Sequence, residues 1–322
     1  MFAVYADSFS ADDPLSGLKL DERPEPEAPD GWTTVTVKAA SLNHHDLWSL
    51  RGVGLREEAL PMTLGCDAAG YDEDGNEVVV HAVISDPAWT GDETLDPKRS
   101  LLSERHQGTF ADKVVVPTGN VIAKPPSLTF EEAACLPTAW LTAYRMLYTQ
   151  GGLKPGDSVL VQGAGGGVAT ALIALGHAGG LKVYATSRDE VKRDKALELG
   201  ADEVFESNAR LPEKVDAVME TVGRATWSHS VRSLRPGGSV VVSGTTSGPK
   251  LDDAELTRIF FLQLRVVGST MGTRAELASL VNLLDVSGVR PLVDRVLPMT
   301  EARDGFAAMA EGDVFGKIVF TR

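Results

Sequence analysis

Five small residues in a row, Gly163, Ala164, Gly165, Gly166 and Gly167, stand between an apolar, β-branched run (158–162, SVLVQ) and an Ala-rich apolar run (168–177). Strand, glycine turn and helix, in that order, form the context in which backbone N–H groups cradle a dinucleotide pyrophosphate. In the frame Ala164-x-Gly166-x-x-Ala169, alanines replace the first and third glycines of the usual fingerprint. The central Gly166 is kept, at the point where the backbone must approach the phosphates, and Ala is an accepted third residue. A helix opening at Val168, just after Gly167, adds free N–H groups and the positive end of its dipole. Taken alone, the motif also reads as a glycine-rich turn of an ordinary α/β protein.

The next apolar run, 181–186 (LKVYAT), ends at Ser187 and Arg188, 23 positions after Ala164 (187 − 164). A carboxylate about 20 residues on would hold a ribose 2′-hydroxyl, whereas an arginine accommodates a 2′-phosphate. Ser187 and Arg188, with Lys192 and Arg193 one turn further, favour NADP(H) over NAD(H), although Asp189 and Glu190 dilute the charge.

These groups need a scaffold, and the 322 residues suffice for two domains of ordinary size. A net charge of −14 disfavours nucleic acid and anionic membranes as partners. Cys66 and Cys135 are far apart and form no C-x-x-C pair, which argues against a disulfide framework or a structural zinc lobe. No charged-then-apolar leader opens the chain and no run of about 18 apolar residues occurs, so a soluble, cytoplasmic protein is expected.

In chain order, residues 1–30 are rich in Asp, Glu and Pro, and 32–39 (WTTVTVKA) alternates like a two-faced strand. Residues 41–52 (SLNHHDLWSLRG) read as a turn into a short helix. Further strand material falls at 61–70, 77–84 and 109–117, with a polar loop at 85–108. Short strands over about 120 residues suggest a β-barrel-like domain. Two helices are expected at 130–136 and 138–149, joined at Pro137. Beyond Ser158 strands and helices alternate, with strands at 203–205, 215–219, 239–243 and 264–268, the pattern of a doubly wound parallel sheet. A helix at 273–287 and strands at 292–296 and 317–321 close the chain. The expected division is 1–122 with 271–322 as the barrel-type domain, and 123–270 as the nucleotide domain.

The blocks SLNHHDLWSLRG, PMTLGCDAAG, GTFADKVVVP, EEAACLPTAWLTAY, VLVQGAGGGVATALI, LRPGGSVVVSG and GKIVF, in this order, resemble the medium-chain dehydrogenase/reductase superfamily over essentially the whole chain. Its quinone oxidoreductase and enoyl reductase branch is the most similar. The resemblance implies an α/β protein made of a GroES-like catalytic domain and a Rossmann domain, with a nicotinamide in the cleft between them. It also implies a homodimer joined through the Rossmann sheets near residues 258–269.

Zinc-dependent members carry a Cys at the position of Asn43, a His-Glu pair at Cys66-Asp67, and a Cys or Asp at Thr138. Only Cys66 could serve as a ligand in that set. His44 and His45 are helix neighbours, about 100° apart, and cannot easily chelate one ion together. No metal is therefore expected, and charge developing on a substrate oxygen must be met by hydrogen-bond donors. That suits a quinone or an α,β-unsaturated carbonyl reduced by NADPH. A zinc-type alcohol dehydrogenase and a non-catalytic NADPH-binding relative are the alternatives.

By the same resemblance Asn43 and Trp48 are catalytic candidates, and His44 and His45 join them as side chains able to supply a proton. Asn43 either bonds the substrate carbonyl or caps the following helix. The histidines either supply a proton or are merely solvated, and Trp48 either lines the substrate cleft or anchors its helix. Thr138 and Thr142 are candidates for cofactor contact, Thr142 at the carboxamide of the nicotinamide unless it only bonds its own backbone. Val222 follows the fourth strand and Gly244 and Thr245 follow the fifth, at the carboxyl ends where open sheets bind ligands. Ser269, Thr270 and Met271 would close the nicotinamide end.

Overall fold

The computed structural model describes all 322 residues and divides them into two compact units, Met1–Leu141 with Met271–Arg322, and Thr142–Thr270. In the first unit the chain runs through β1 (Phe2–Ala6), β2 (Leu18–Glu22), β3 (Trp32–Ser41), α1 (His44–Leu50), β4 (Met62–Thr63), β5 (Asp67–Tyr71) and β6 (Glu77–Val80). It continues with β7 (Val83–Ile84), β8 (Ser100–Leu101), β9 (Lys113–Pro117), β10 (Val121–Ala123) and α2 (Phe130–Ala134). The second unit holds α3 (Leu141–Tyr144, which starts one residue before it), β11 (Ser158–Val161), α4 (Gly167–Ala178), β12 (Lys182–Thr186), α5 (Glu190–Glu198), β13 (Glu203–Phe205) and β14 (Val215–Glu220). It ends with α6 (Trp227–Ser233), β15 (Leu234–Val242), α7 (Leu256–Phe261) and β16 (Arg265–Gly268). The chain then returns to the first unit with α8 (Arg274–Ser287), β17 (Val293–Pro298), α9 (Ala302–Glu311) and β18 (Lys317–Thr321).

The first unit is built on a seven-stranded sheet ordered β10-β6-β5-β3-β18-β17, with β9 also paired to β3, and a smaller β2-β1-β4 sheet. Its core holds a cluster of three rings. Phe110 meets Phe320 edge-on at 5.2 Å, and Phe306 stacks on Phe320 with centroids 6.3 Å apart. Gly305 makes room for it, since a Cβ there would lie 2.7 Å from the Phe320 ring.

The second unit is a six-stranded parallel sheet ordered β13-β12-β11-β14-β15-β16. Counted within the unit this is the order 3-2-1-4-5-6 of a doubly wound dinucleotide fold. Residues 169–176 of α4 are all buried, so this helix is apolar on every side because it is covered on every side.

One expectation needs correction. Residues 123–141 belong to the first unit and not to the nucleotide domain. Phe130 meets Tyr71 edge-on at 5.2 Å, Lys124 pairs with Glu77 at 2.8 Å, and Thr138 bonds Asp67, all within the barrel-type unit. As expected, one helix ends just before Pro137: α2 stops at Ala134, and Pro137 lies in the first turn of the π-helical segment Leu136–Trp140, where its missing N–H needs no partner. The path continues through α3 into a second π-helical segment, Arg145–Gln150.

Candidate functional site

Sequence-distant polar residues meet at the end of β3. The antiparallel register places Ser41 opposite Asp67 on β5, and Val319 on β18 opposite Ser41. Asp67 is fully buried and accepts hydrogen bonds from Ser41 Oγ (2.7 Å) and Asn43 Nδ2 (2.8 Å) on one oxygen, and from Thr138 Oγ1 (2.6 Å) on the other. Lys317, also buried, donates to the Leu42 carbonyl at 2.8 Å and to Asn43 Oδ1 at 2.6 Å, with its ammonium 3.5 Å from Asp67. A buried carboxylate and a buried ammonium compensate each other only with their remaining hydrogen-bonding capacity filled, and this network fills it.

Asn43 precedes α1, and its amide is engaged on both sides: Nδ2 also donates to the Ser41 carbonyl at 3.3 Å. Thr138, expected at the cofactor, directs its hydroxyl to Asp67. Asp46 in the first turn of α1 accepts the backbone N–H of Asn43 (2.9 Å) and of Gly65 (3.0 Å). Burial nevertheless pushes its pKa up to about 6.

His44 is exposed and lies near Trp48, ring centroids 6.3 Å apart; Trp48 itself is half-buried. His45 turns the other way. Its Nε2 lies 3.2 Å from Glu104 Oε1 and its Nδ1 3.4 Å from Cys66 Sγ. Burial works against a charged ring, but the Cys66 sulfur and the Glu104 carboxylate outweigh it and lift the pKa well above the ordinary imidazole value. Burial pushes the Cys66 thiol up to about 11, and the thiol donates to the Leu102 carbonyl at 3.2 Å. The pairing of His45 with Cys66 and Glu104 was not foreseen from the sequence. The Ser41–Asp67 register, which sets residues 43–46 beside 65–66, is the signal that would have found it.

In the second unit, β11 runs through Gln162 into the glycine turn. Gly163 adopts φ +77°, and a Cβ there would meet Val222 at 2.8 Å. Gly165 adopts φ +138° against the Lys192 side chain. Gly166, which precedes α4, has nothing within 4 Å of where a Cβ would point, so its backbone lies bare at the helix N-terminus. Ala164 N–H bonds the Thr186 carbonyl at 2.7 Å, tying the turn to the end of β12. Gly167 and Val168 begin α4.

Ser187, Arg188 and Lys192 gather at that same end: Ser187 is buried, Arg188 is exposed, and the Lys192 stem lies over Gly165. Arg193 instead donates to the Ser187 carbonyl at 2.8 Å and approaches Glu206 at 3.9 Å. The loops after β14 and β15 bind each other, Ser247 N–H to Val222 O at 2.7 Å and Thr246 N–H to Thr221 O at 3.2 Å, which brings Gly244 beside Thr221 and Thr245 beside Gly223. Ser269 N–H bonds Val242 O at 2.8 Å. Thr142 is buried on α3, and Thr270 is the last residue of this unit. Met271 falls in the first unit, packed with Cys66, Ala82 and Val83.

Sequence reasoning missed Glu220. Fully buried at the end of β14, it accepts Val222 N–H (2.8 Å), Gly223 N–H (3.0 Å), Thr226 Oγ1 (2.9 Å) and Ser230 Oγ (2.5 Å). Ser230 also accepts from Gln162, whose Oε1 takes the Thr186 hydroxyl at 2.7 Å. One buried network thus braces the glycine turn and the loop after β14.

Residues 29–126 match the model of the alcohol dehydrogenase GroES-like domain, and 167–285 that of the zinc-binding dehydrogenase family. The chain is 31% identical to the synaptic vesicle membrane protein VAT-1 homolog of Rattus norvegicus over 336 residues, 94% of this chain and 80% of the relative. The chain belongs to the medium-chain dehydrogenase/reductase superfamily. Its fold is the α/β fold of that superfamily, a GroES-like domain with a six-stranded Rossmann sheet. A solved NAD-dependent alcohol dehydrogenase superposes with a TM-score of 0.91 at 32% identity, covering 100% of both chains. A 2-octenoyl-CoA carboxylase reductase in complex with NADP and 2-octenoyl-CoA superposes with a TM-score of 0.91 at 26% identity, covering 99% of this chain and 87% of that one. An oxidoreductase using a nicotinamide cofactor follows from this membership. No helix is long and apolar enough to cross a membrane.

Zinc, which the family description names, does not fit the ligand positions identified by resemblance. Asn43 and Thr138 offer an amide and a hydroxyl, both committed to Asp67 or Lys317, and Cys66 stands alone among them. A catalytic zinc wants three protein ligands.

Proposed function

We propose that the protein is an NADPH-dependent reductase that passes hydride to a quinone or to the β-carbon of an α,β-unsaturated carbonyl, with no step through a metal at the family's ligand positions. The observation that carries this reading is the Asn43–Asp67–Thr138–Lys317 network, which fills those positions with hydrogen-bonded neutral groups around one internal ion pair. Reduction of a conjugated acceptor spreads the developing charge over an enolate or a hydroquinone, so hydrogen-bond donors and a proton source suffice. Asn43, His44, His45 and Trp48 all lie at the start of α1, and one of the two histidines supplies the proton in this reading. Bare backbone at Gly166 suits the pyrophosphate, and Ser187, Arg188 and Lys192 suit a 2′-phosphate.

The test uses stereospecifically deuterated NADPH with a short enoyl thioester, an enone and a quinone, and NADP⁺ with primary and secondary alcohols. The expected result is a saturated product carrying deuterium at the β-carbon, or a hydroquinone. Alcohol oxidation with no reduction of any conjugated acceptor would overturn the reading.

The same reading includes a homodimer formed edge to edge through β16. That strand closes one side of the sheet, and the neighbouring helix α7 leaves Phe260 and Phe261 70% and 77% exposed.

A further inference from the structure

Outside the ligand positions of the zinc-dependent relatives, the first unit assembles a different donor set. The ligand atoms of His45, Asp46 and Cys66 all lie within 4.8 Å of one another, and His45 Nδ1 is 3.4 Å from Cys66 Sγ. A sulfur and a nitrogen bound to one tetrahedral ion at about 2.3 and 2.0–2.1 Å stand roughly 3.5 Å apart, so this pair already has the spacing of two ligands. Behind His45, the Glu104 carboxylate lies 3.2 Å from Nε2. A carboxylate on the far nitrogen is the usual support of a metal-bound imidazole, because it fixes the ring and the tautomer that leaves the near nitrogen free.

We propose that Cys66, His45 and Asp46 form a site for one thiophilic divalent cation of the Zn²⁺ class, with Glu104 orienting His45 and one coordination position left to solvent. Only Cys66 is shared with the family's set. The notion that neighbours on α1 cannot share an ion holds for His44 and His45, which diverge. It does not hold for His45 and Asp46, because Asp46 folds back toward the helix start, where the Gly65 N–H meets it. Each Asp46 oxygen accepts one N–H and retains a lone pair.

Charge and proton balance are simple. The ion bonds the Cys66 sulfur in place of its proton and takes the lone pair of Nδ1 in the tautomer that keeps its proton on Nε2, facing Glu104. The displaced thiol proton goes to solvent and nothing is oxidised. A thiolate and a carboxylate then neutralise the dipositive ion inside a buried setting where neither would otherwise be stable alone.

The experiment uses the full-length protein, stripped with a chelator and titrated with Co²⁺. One equivalent should produce a sulfur-to-cobalt charge-transfer band in the near ultraviolet and tetrahedral bands in the visible, with proton release as the thiolate forms. Stoichiometric Zn²⁺ should bleach both. The bands should vanish in Cys66→Ser, persist in Cys135→Ser, and need at least tenfold more Co²⁺ in Glu104→Gln. Should Cys66→Ser fail to fold, His45→Gln serves in its place and should also lose the spectrum. The proposal is overturned if the wild-type protein gives no stoichiometric band, or if the band survives in Cys66→Ser or His45→Gln. These spectra do not depend on turnover, so they stand apart from the reductase reading.

Discussion

The Lys317 ammonium donates to the side-chain oxygen of Asn43 at 2.6 Å, joining the last strand of the chain to the start of α1. This bond spans 274 positions and shares its donor with the Leu42 carbonyl, 3.5 Å from the Asp67 carboxylate. It secures the helix that carries His44, His45 and Trp48. Removing the ammonium would leave a buried carboxylate without its counter-charge. Lys317→Met should therefore destabilise the protein by about 3–5 kcal/mol, read as a lower urea midpoint with an unchanged slope. Adding Asp67→Asn should recover part of the loss, since the uncompensated charge then disappears. A loss below about 1 kcal/mol in the single variant would mean that the ion pair holds nothing.

Arg188 is the exposed guanidinium just after β12, next to Ser187, while the Lys192 stem lies over Gly165 of the glycine turn. If it meets a 2′-phosphate, Arg188→Ala removes a charge-assisted contact of about 1.5–3 kcal/mol. NADPH affinity, measured by quenching of protein fluorescence, should fall roughly 10- to 150-fold. NADH, which lacks that phosphate, should bind as before. Equal losses for both cofactors would place the arginine elsewhere.

Both cysteines are buried, and burial raises Cys66 to about 11 and Cys135 to about 12. A thiol whose pKa is raised stays neutral until the pH approaches the raised value, so both remain protonated throughout the physiological range. At pH 8 the Cys66 thiolate fraction is about 100-fold below that of a thiol titrating at 9, before access is considered. In the metal-free native protein neither should react with a disulfide reagent within minutes, and two should react once the chain is unfolded. A fast-reacting native thiol would contradict the packing around these residues.

The exposed pair Phe260 and Phe261 beside the β16 edge provides the means to test assembly. Changing both to Ser should convert a dimer into a monomer in analytical ultracentrifugation, with the far-UV spectrum unchanged. A wild-type protein that sediments as a monomer at micromolar concentration would remove the dimer from the proposal.

Much of the second unit was legible in the chain. Its strands are short apolar runs, its turns carry Gly or Pro, and residues 163–167 sit between a strand and a helix only a few positions apart. Such features depend on local backbone preference and on periodic burial, which neighbouring residues carry themselves. The family blocks extended that reading to the first unit. Residues 123–141 were placed in the wrong unit because a helical pattern says which face is apolar but not which sheet it covers. In the same stretch Pro137 correctly marked where one helical segment gives way to the next, because its missing N–H is tolerated in a first turn.

From the sequence alone came the two-domain α/β class, the strand–turn–helix for a dinucleotide, and the basic cluster at Ser187, Arg188 and Lys192. Tertiary structure decided which polar side chains meet. Ser41, Asn43, Asp67, Thr138 and Lys317 converge because the registers of β3 with β5 and β18 align them. The same register turns His45 toward Cys66 and Glu104, a trio of sequence-distant residues that no local pattern announces. A buried polar atom must find a partner, but its partner is set by strand pairing and not by distance along the chain.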